Sequence, residues 1–354
     1  MNFYPTSMPS VVAVNGRFRV HKITGVQRYA EELSRRLARR VTFVEPKRKL
    51  KGARGHMWEQ IALPARVGSG ILWSPCNTGP CWFSRQVVTI HDLFALEHPE
   101  WFSKNFARCY RAIIPTLVRN VRRVIAVSEY TKSRIMRLTG VSGEKITVIH
   151  NGVGRQFQPQ SESAVATARQ TLGLPPGRYL LSVASVEPRK NVKRILEAWQ
   201  KILPLIAPDW HLVLAGRLST DNAFASLDSE PRLPRVIFPG YVEEQCLPGL
   251  YAGAGAFLFP SLAEGFGLPP LEAMACGTPV LTSRCSSLSE VTGKAALLVD
   301  PLNTDEIVRG IQTLVRDDRT REYLWRQGLE QASRFSWDSS ADETWRTLEQ
   351  ELTV

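Results

Sequence analysis

Short apolar runs alternate with longer stretches of helical spacing along nearly the whole chain. In the first half the runs are Val11–Val14, Val41–Val44, Ile71–Trp73, Val87–Ile90, Val124–Val127 and Ile146–Ile149. In the second half they are Tyr179–Val183, His211–Ala215, Val236–Phe238, Ala256–Phe259, Val280–Thr282 and Ala296–Val299. These runs are continuously apolar rather than alternating, as expected of strands buried on both faces of a parallel sheet with helices as crossovers. The pattern predicts an α/β protein with two parallel sheets, each in a Rossmann-like domain with ligands at the carboxyl ends of its strands. The joint is the polar segment Arg155–Arg178, marked by Pro159 and by Pro175-Pro176. The expected domains are therefore 1–170 and 171–336, followed by a C-terminal helix in 337–354.

The most specific stretch runs from Ser261 to Val280, S-L-A-E-G-F-G-L-P-P-L-E-A-M-A-C-G-T-P-V. It follows the apolar run Ala256–Phe259 and the strand-ending Pro260. Pro269 and Pro270 suit the first turn of a helix, where a backbone N–H has no intrahelical partner, and Gly277 ends the helical pattern. The stretch thus predicts a strand, a glycine loop (Gly265, Phe266, Gly267, Leu268) and a helix start. Free N–H groups and the positive end of the macrodipole make such a start an anion site. Glu264 and Glu272 would repel a phosphate, so they suit hydroxyls of ribose or sugar instead. A nucleotide-sugar supplies both groups. After the run Tyr179–Val183 comes A-S-V-E-P-R-K-N, where Arg189 and Lys190 could clamp a diphosphate.

The Glu264 to Glu272 stretch, with seven residues between the carboxylates, resembles the signature of the retaining glycosyltransferases of family 4. That resemblance implies the GT-B fold, two Rossmann-like domains facing across a cleft, with the last helix crossing back to the first domain. It also implies roles for particular residues. Arg189 and Lys190 would hold the diphosphate, although Ala184 and Ser185 stand where many members have a Gly-Arg pair. Glu264 would hold the donor sugar and Glu272 the ribose, and Gly240-Tyr241-Val242 would meet the nucleobase through the backbone. His91, in H-D-L after Val87–Ile90, resembles the family's histidine beside the donor sugar. Gly25, in I-T-G-V, resembles a helix start that approaches the acceptor or the diphosphate. The E-P-R-K-N variant points to the mannosyltransferase-like branch, and so to GDP-mannose as donor. No cofactor or metal is expected, since side chains supply the cations and no D-x-D pair is present.

Charge adds a partner. Residues 1–170 carry 27 Lys and Arg against 10 Asp and Glu, whereas residues 171–354 carry 18 against 23. Much of the excess lies in Arg35, Arg36, Arg39, Arg40, Lys47, Arg48, Lys49, Lys51 and Arg54. An acidic partner fits this asymmetry, either a polyprenyl-diphosphate-linked glycan acceptor or an anionic membrane surface. No helix-turn-helix, zinc or RNP pattern accompanies the charge, so nucleic acid is not expected. The six cysteines are scattered without metal-ligand spacing and read as reduced thiols. Without a signal peptide or spanning segment, the expected location is the cytoplasm, peripheral at the inner face of the membrane. The competing readings are a non-hydrolysing nucleotide-sugar epimerase on the same plan, a transferase using a UDP-sugar, and a non-enzymatic polyanion-binding module. A dehydrogenase is disfavoured, because no complete G-x-G-x-x-G follows a first strand.

Overall fold

A computed structural model describes residues 12–20, 24–48, 50, 52–183, 187–216 and 233–353. Val11, Ile23, Lys49, Lys51, Ala184 and Ser185, all invoked above, lie outside the described residues. The chain divides into two compact units, Met1–Gly152 with Trp337–Val354, and Val153–Ser336.

The first unit holds a six-stranded parallel sheet. Its strands are β1 (Val12–Asn15), β2 (Val41–Val44), β3 (Ile71–Ser74), β4 (Gln86–Ile90), β5 (Arg123–Ala126) and β6 (Ile146–Val148), in the order β2-β1-β3-β4-β5-β6. Strand β1 thus has β2 on one side and β3 on the other, and the direction of winding reverses there. Helix Trp337–Leu352 packs on helix Gly25–Leu37. Arg36 Nε donates to Asp338 at 2.6 Å and Arg123 Nε to Glu351 at 2.9 Å, while Trp337 meets Tyr29 edge-on in the interior. The C-terminal helix is therefore an element of the first unit's core.

The second unit holds another six-stranded parallel sheet. It comprises β7 (Arg178–Val183), β8 (Trp210–Ala215), β9 (Val236–Gly240), β10 (Ala256–Phe259), β11 (Val280–Ser283) and β12 (Ala296–Val299), ordered β12-β11-β10-β7-β8-β9. Relabelled from β7, that is 3-2-1-4-5-6 read from the other edge, the dinucleotide-fold order, with its reversal between β7 and β10. Helices Val192–Ile202 and Thr304–Arg316 cover one face, burying Ile195, Trp199, Ile307 and Ile311 against Leu212 and Leu258. Each fully buried Leu, Ile or Val contributes roughly 1.5–3 kcal/mol by leaving water.

The boundary expected after residue 170 moves to 152. Helix Glu162–Thr171 packs against helix Leu247–Ala252 of the second unit, with Ala168 so close that a Cβ on Gly249 would lie 2.8 Å from its methyl. The polar composition of 155–178 hid that docking, because it rests on small residues rather than on a conspicuous apolar stripe.

Candidate functional site

In a doubly wound sheet the strand-end loops diverge where the winding reverses, and ligands bind in the gap between them. In the second unit those loops follow β7 and β10, and they carry the two motifs singled out from sequence. After β7, Pro188–Lys190 forms one 3-10 turn. Asn191 then adopts a left-handed φ of 58°, which a residue with a short amide tolerates better than most. Its Nδ2 donates to the carbonyl oxygens of Pro260 (2.9 Å) and Pro301 (2.7 Å). The Leu262 N–H donates to the Arg189 carbonyl at 2.7 Å. These bonds lock the two loops together.

The side chains meet as a result. Lys190 Nζ lies 2.6 Å from Glu264 Oε1, and Arg189 Nη1 lies 2.7 Å from Glu264 Oε2. Arg189 Nε also reaches Glu187 at 2.6 Å, and the Lys190 ammonium sits 4.6 Å from the centre of the Phe259 ring. Lys190 and Glu264 are only 8% and 7% exposed. Burial pushes the Glu264 carboxyl up, but Arg189 and then Lys190 outweigh it and hold the acid below its usual range. The Lys190 ammonium is pulled down by burial and by Arg189, with Glu264 drawing it back. Glu264 is therefore an ionised carboxylate between two cations. A carboxylate can accept about four hydrogen bonds, and an ammonium has three donors. Both groups keep capacity for a ligand.

Gly267 has a φ of 109°, in the region that favours glycine, and opens helix Leu268–Ala275. Glu272 sits on that helix, 5% exposed, and accepts a hydrogen bond from Tyr251 Oη at 3.0 Å. The Phe266 ring is buried and packs edge-on against Phe335. Tyr241 and Val242 follow β9, two strands from the reversal; Tyr241 is exposed and Val242 is buried. Gly265 and Leu268 lie in the same loop and helix start, between the two carboxylates.

In the first unit, His91 follows β4 and is buried. Its Nε2 lies 2.8 Å from the Pro75 carbonyl oxygen, which fixes Nε2 as the N–H donor. Tyr29 packs edge-on at 4.7 Å, and the His91 N–H donates to Asn77 Oδ1 at 2.6 Å. Burial lowers its pKa to about 4. The imidazole is thus neutral near pH 7, so it can accept or orient but does not carry charge. Gly25 begins helix Gly25–Leu37 behind the Thr24 cap, where Gln27 Oε1 accepts from the Thr24 N–H at 3.2 Å.

Two family models cover most of the described sequence. Residues 166–331 match the model described as glycosyl transferases group 1, and residues 73–157 that of glycosyltransferase family 4. The O-antigen chain mannosyltransferase B of Escherichia coli is 33% identical over 267 residues, 75% of this chain and 70% of that protein. The chain belongs to glycosyltransferase family 4. Among solved structures, WaaG, a glycosyltransferase involved in lipopolysaccharide biosynthesis, superposes with a TM-score of 0.77 at 16% identity, covering 96% of this chain and 99% of its own. Anabaena HepE in complex with UDP-glucose gives 0.75 at 17%, covering 96% and 99%. These likenesses establish the GT-B fold, and the chain is a glycosyltransferase.

Several residues that build the glycosyltransferase's loop escaped the sequence reading. Ser286, with a φ of 58°, receives the Glu264 N–H on its hydroxyl at 3.1 Å. Ser287 Oγ lies 2.8 Å from the carbonyl oxygens of both Glu264 and Phe266. Ser283 Oγ donates to the Ser261 carbonyl at 2.6 Å. The serine-rich turn after β11 was the available signal, since such hydroxyls bind neighbouring backbone in turns. Tyr251, the partner of Glu272, carried no signal at all.

Proposed function

We propose that the enzyme transfers mannose from GDP-mannose to a hydroxyl of a growing glycan, with retention at the anomeric carbon. The observation that carries this reading is the Arg189–Lys190–Glu264 cluster, with Lys190 and Glu264 buried and Arg189 partly so, at the winding reversal of a dinucleotide-type sheet. Cleavage of the sugar–phosphate bond builds positive charge on the anomeric carbon and negative charge on the leaving diphosphate. The two cations and the helix start after Gly267 stabilise the second, and they act most strongly in the transition state, where that charge is largest. Glu264, ionised between them, accepts from donor sugar hydroxyls, and Glu272 from the ribose. The leaving diphosphate takes the acceptor's proton as it attacks from the same face, so no metal or protein base is required. His91 orients rather than titrates, as its low pKa demands.

Mannose rests on the E-P-R-K-N sequence and on the mannosyltransferase relative. A UDP-sugar is the second reading, favoured by the UDP-glucose bound to HepE. The acceptor is a glycan carried on a polyprenyl diphosphate, met at an anionic membrane surface by the first unit. In the structure Arg35 and Arg36 pair with Glu32, and Arg36 with Asp338; Arg39, Lys47 and Arg48 are exposed, as is Arg40, whose guanidinium lies 5.2 Å from the centre of the Trp345 ring. Among the described residues no helix is long and apolar enough to cross a membrane.

The test is a panel of GDP-, UDP- and ADP-sugars read by thermal protection and nucleotide release, with and without EDTA. GDP-mannose protects best and EDTA changes nothing on this account. Preferential protection by a UDP-sugar favours the second reading, and formation of a new sugar nucleotide without acceptor identifies an epimerase. Loss of activity with EDTA, restored by magnesium or manganese, overturns the metal-free mechanism.

A further inference from the structure

The first unit carries an exposed apolar strip that no step of the transfer uses. Helix Gly52–Met57 runs on through a single π-helical turn, Trp58–Ala62, and the spacing sets Arg54, Met57 and Ile61 along one stripe. Met57 and Ile61 are 62% and 70% exposed. Two further elements dock beside that stripe. Gln60 Nε2 donates to the Gly79 carbonyl at 2.9 Å and Gln60 Oε1 accepts from the Cys81 N–H at 2.8 Å, which seats the loop bearing Trp82, 84% exposed. His56 meets Tyr110 edge-on at 6.1 Å, and Tyr110 stacks on Phe106 at 4.0 Å, which seats helix Lys104–Asn120 with Phe106 exposed as well. Cys81 Sγ, 3.8 Å from the Ile113 carbonyl oxygen, joins the loop to that helix. Four large apolar side chains therefore lie exposed on three adjoining segments. Single exposed apolar residues are ordinary, but a contiguous group of them marks an interaction surface.

The margins of the strip are basic. Helix Lys104–Asn120 carries Lys104, Arg108, Arg111 and Arg119 and no acidic residue. Helical spacing puts Phe106 on the flank toward His56 and Lys104, Arg108 and Arg111 on the far one, with the exposed Asn105, Cys109 and Ala112 between. Arg54 stands on the other margin. Arg54, Lys104, Arg108 and Arg111 are exposed and form no ion pair among the described residues. Glu59, the acidic residue of Gly52–Ala62, is buried against Arg17 at 2.9 Å and offers these cations no partner. Cations on both margins of an apolar strip complement an extended anionic surface rather than a single bound anion. A bilayer with anionic lipid is such a surface, and its headgroup layer is where a Trp ring, apolar on its faces and polar at its N–H, is most favourably placed.

We propose that this face docks on an anionic lipid bilayer, with Met57, Ile61 and Trp82 entering the headgroup layer and Arg54, Lys104, Arg108 and Arg111 meeting lipid phosphates. Each cation close to such a surface adds about 1 kcal/mol, and the apolar side chains add what charge alone lacks. The inference rests on the proposed function only in taking the acceptor to be met at a membrane. It deepens that reading, since the contact at Arg39, Arg40, Lys47 and Arg48 is electrostatic alone, whereas this face is an apolar anchor.

The experiment sediments the full chain at low salt with vesicles of phosphatidylcholine and phosphatidylglycerol in equal parts, with phosphatidylcholine alone as control. One variant combines Trp82→Ser with Ile61→Ser, and another combines Arg108→Glu with Arg111→Glu. All four positions are exposed, so the thermal midpoints should stay near the parent's while each variant loses tenfold or more in affinity for the anionic vesicles. Depth is read separately, by quenching of tryptophan fluorescence with lipid brominated on its acyl chains: the bound parent is quenched, and Trp82→Phe loses most of that quenching. An affinity of the Trp82→Ser, Ile61→Ser protein within twofold of the parent, or quenching undiminished in Trp82→Phe, overturns the anchor. If that protein binds like the parent while charge reversal at Arg39, Arg40, Lys47 and Arg48 abolishes binding, the membrane contact stands and this face fails. Absence of binding by the parent itself removes both.

Discussion

Replacing Glu264 by Gln removes the carboxylate shared by the buried Lys190 and the partly buried Arg189. Glu264 bonds Lys190 at 2.6 Å and Arg189 at 2.7 Å, and all three are at least four-fifths buried at the side chain. Withdrawing one partner of a buried ion pair costs about 3–5 kcal/mol, because the remaining charge is left uncompensated. Gln keeps an oxygen for one of the donors, and Arg189 keeps Glu187, so the low end, about 3 kcal/mol, is expected. For a unit the size of Val153–Ser336, each kcal/mol moves the midpoint by roughly 2–4 °C, which gives about 6–12 °C. A diphosphate bound at Arg189 and Lys190 restores the missing negative charge. At a concentration of 100 times Kd, GDP stabilises the parent by about 2.7 kcal/mol, and at that same concentration it should stabilise the Gln variant more. Turnover should fall sharply, since the sugar hydroxyls lose their acceptor, while GDP affinity is kept or improved. Calorimetry of both proteins with and without GDP resolves the second unit's transition. A midpoint unchanged by the substitution, or a smaller gain from GDP in the variant, refutes the placing of the diphosphate against this cluster.

His91 gives a pH prediction: its unfolded imidazole takes a proton below about 6.5 and the folded one only near 4, so the unfolded state holds the extra proton between these values. Stability of the first unit therefore falls as pH drops through that window, by about 3 kcal/mol in all, and His91→Gln should flatten the fall; an unaltered profile contradicts the neutral assignment. Tyr251→Phe removes the hydroxyl that holds Glu272 and should raise KM for the donor several-fold with kcat little changed, whereas equal loss in both speaks for a general structural role. Co-sedimentation with anionic vesicles at low salt should disappear at 1 M salt, where the Debye length is about 3 Å, and in a charge-reversed variant at Arg39, Arg40, Lys47 and Arg48; equal binding to neutral lipid contradicts the electrostatic contact.

The strands were legible because most are continuous apolar runs bounded by turn-formers, although the edge strands β2 and β9 are only partly buried. The glycine loop was legible because Gly265, Gly267 and the paired prolines constrain the backbone locally. What stayed hidden depends on distant partners. That Glu264 would lie against Arg189 and Lys190 follows from β7 and β10 being neighbours, and strand order is not written in any one segment. The Asn191 side chain bridges three loops through a left-handed turn, and Tyr251 reaches Glu272 from a short helix that looks like packing. The Arg17–Glu59 pair joins residues 42 positions apart, and neither residue stands in a motif. Likewise, Ala168 against Gly249 shifted the domain boundary without leaving a compositional mark.

The proposed transfer of mannose from GDP-mannose, with its configuration kept, depends on the cations at the β7–β10 reversal. The direct measurement incubates the chain with GDP-mannose and a panel of mannoside acceptors, isolates the product and determines its anomeric configuration by NMR, beside a Lys190→Ala control. The account predicts an α-mannosyl product matching the α-linked donor, and a rate lowered by a hundredfold or more in the control, as loss of about 3 kcal/mol from the transition state implies. A β-linked product, or a Lys190→Ala enzyme as fast as the parent, would contradict it.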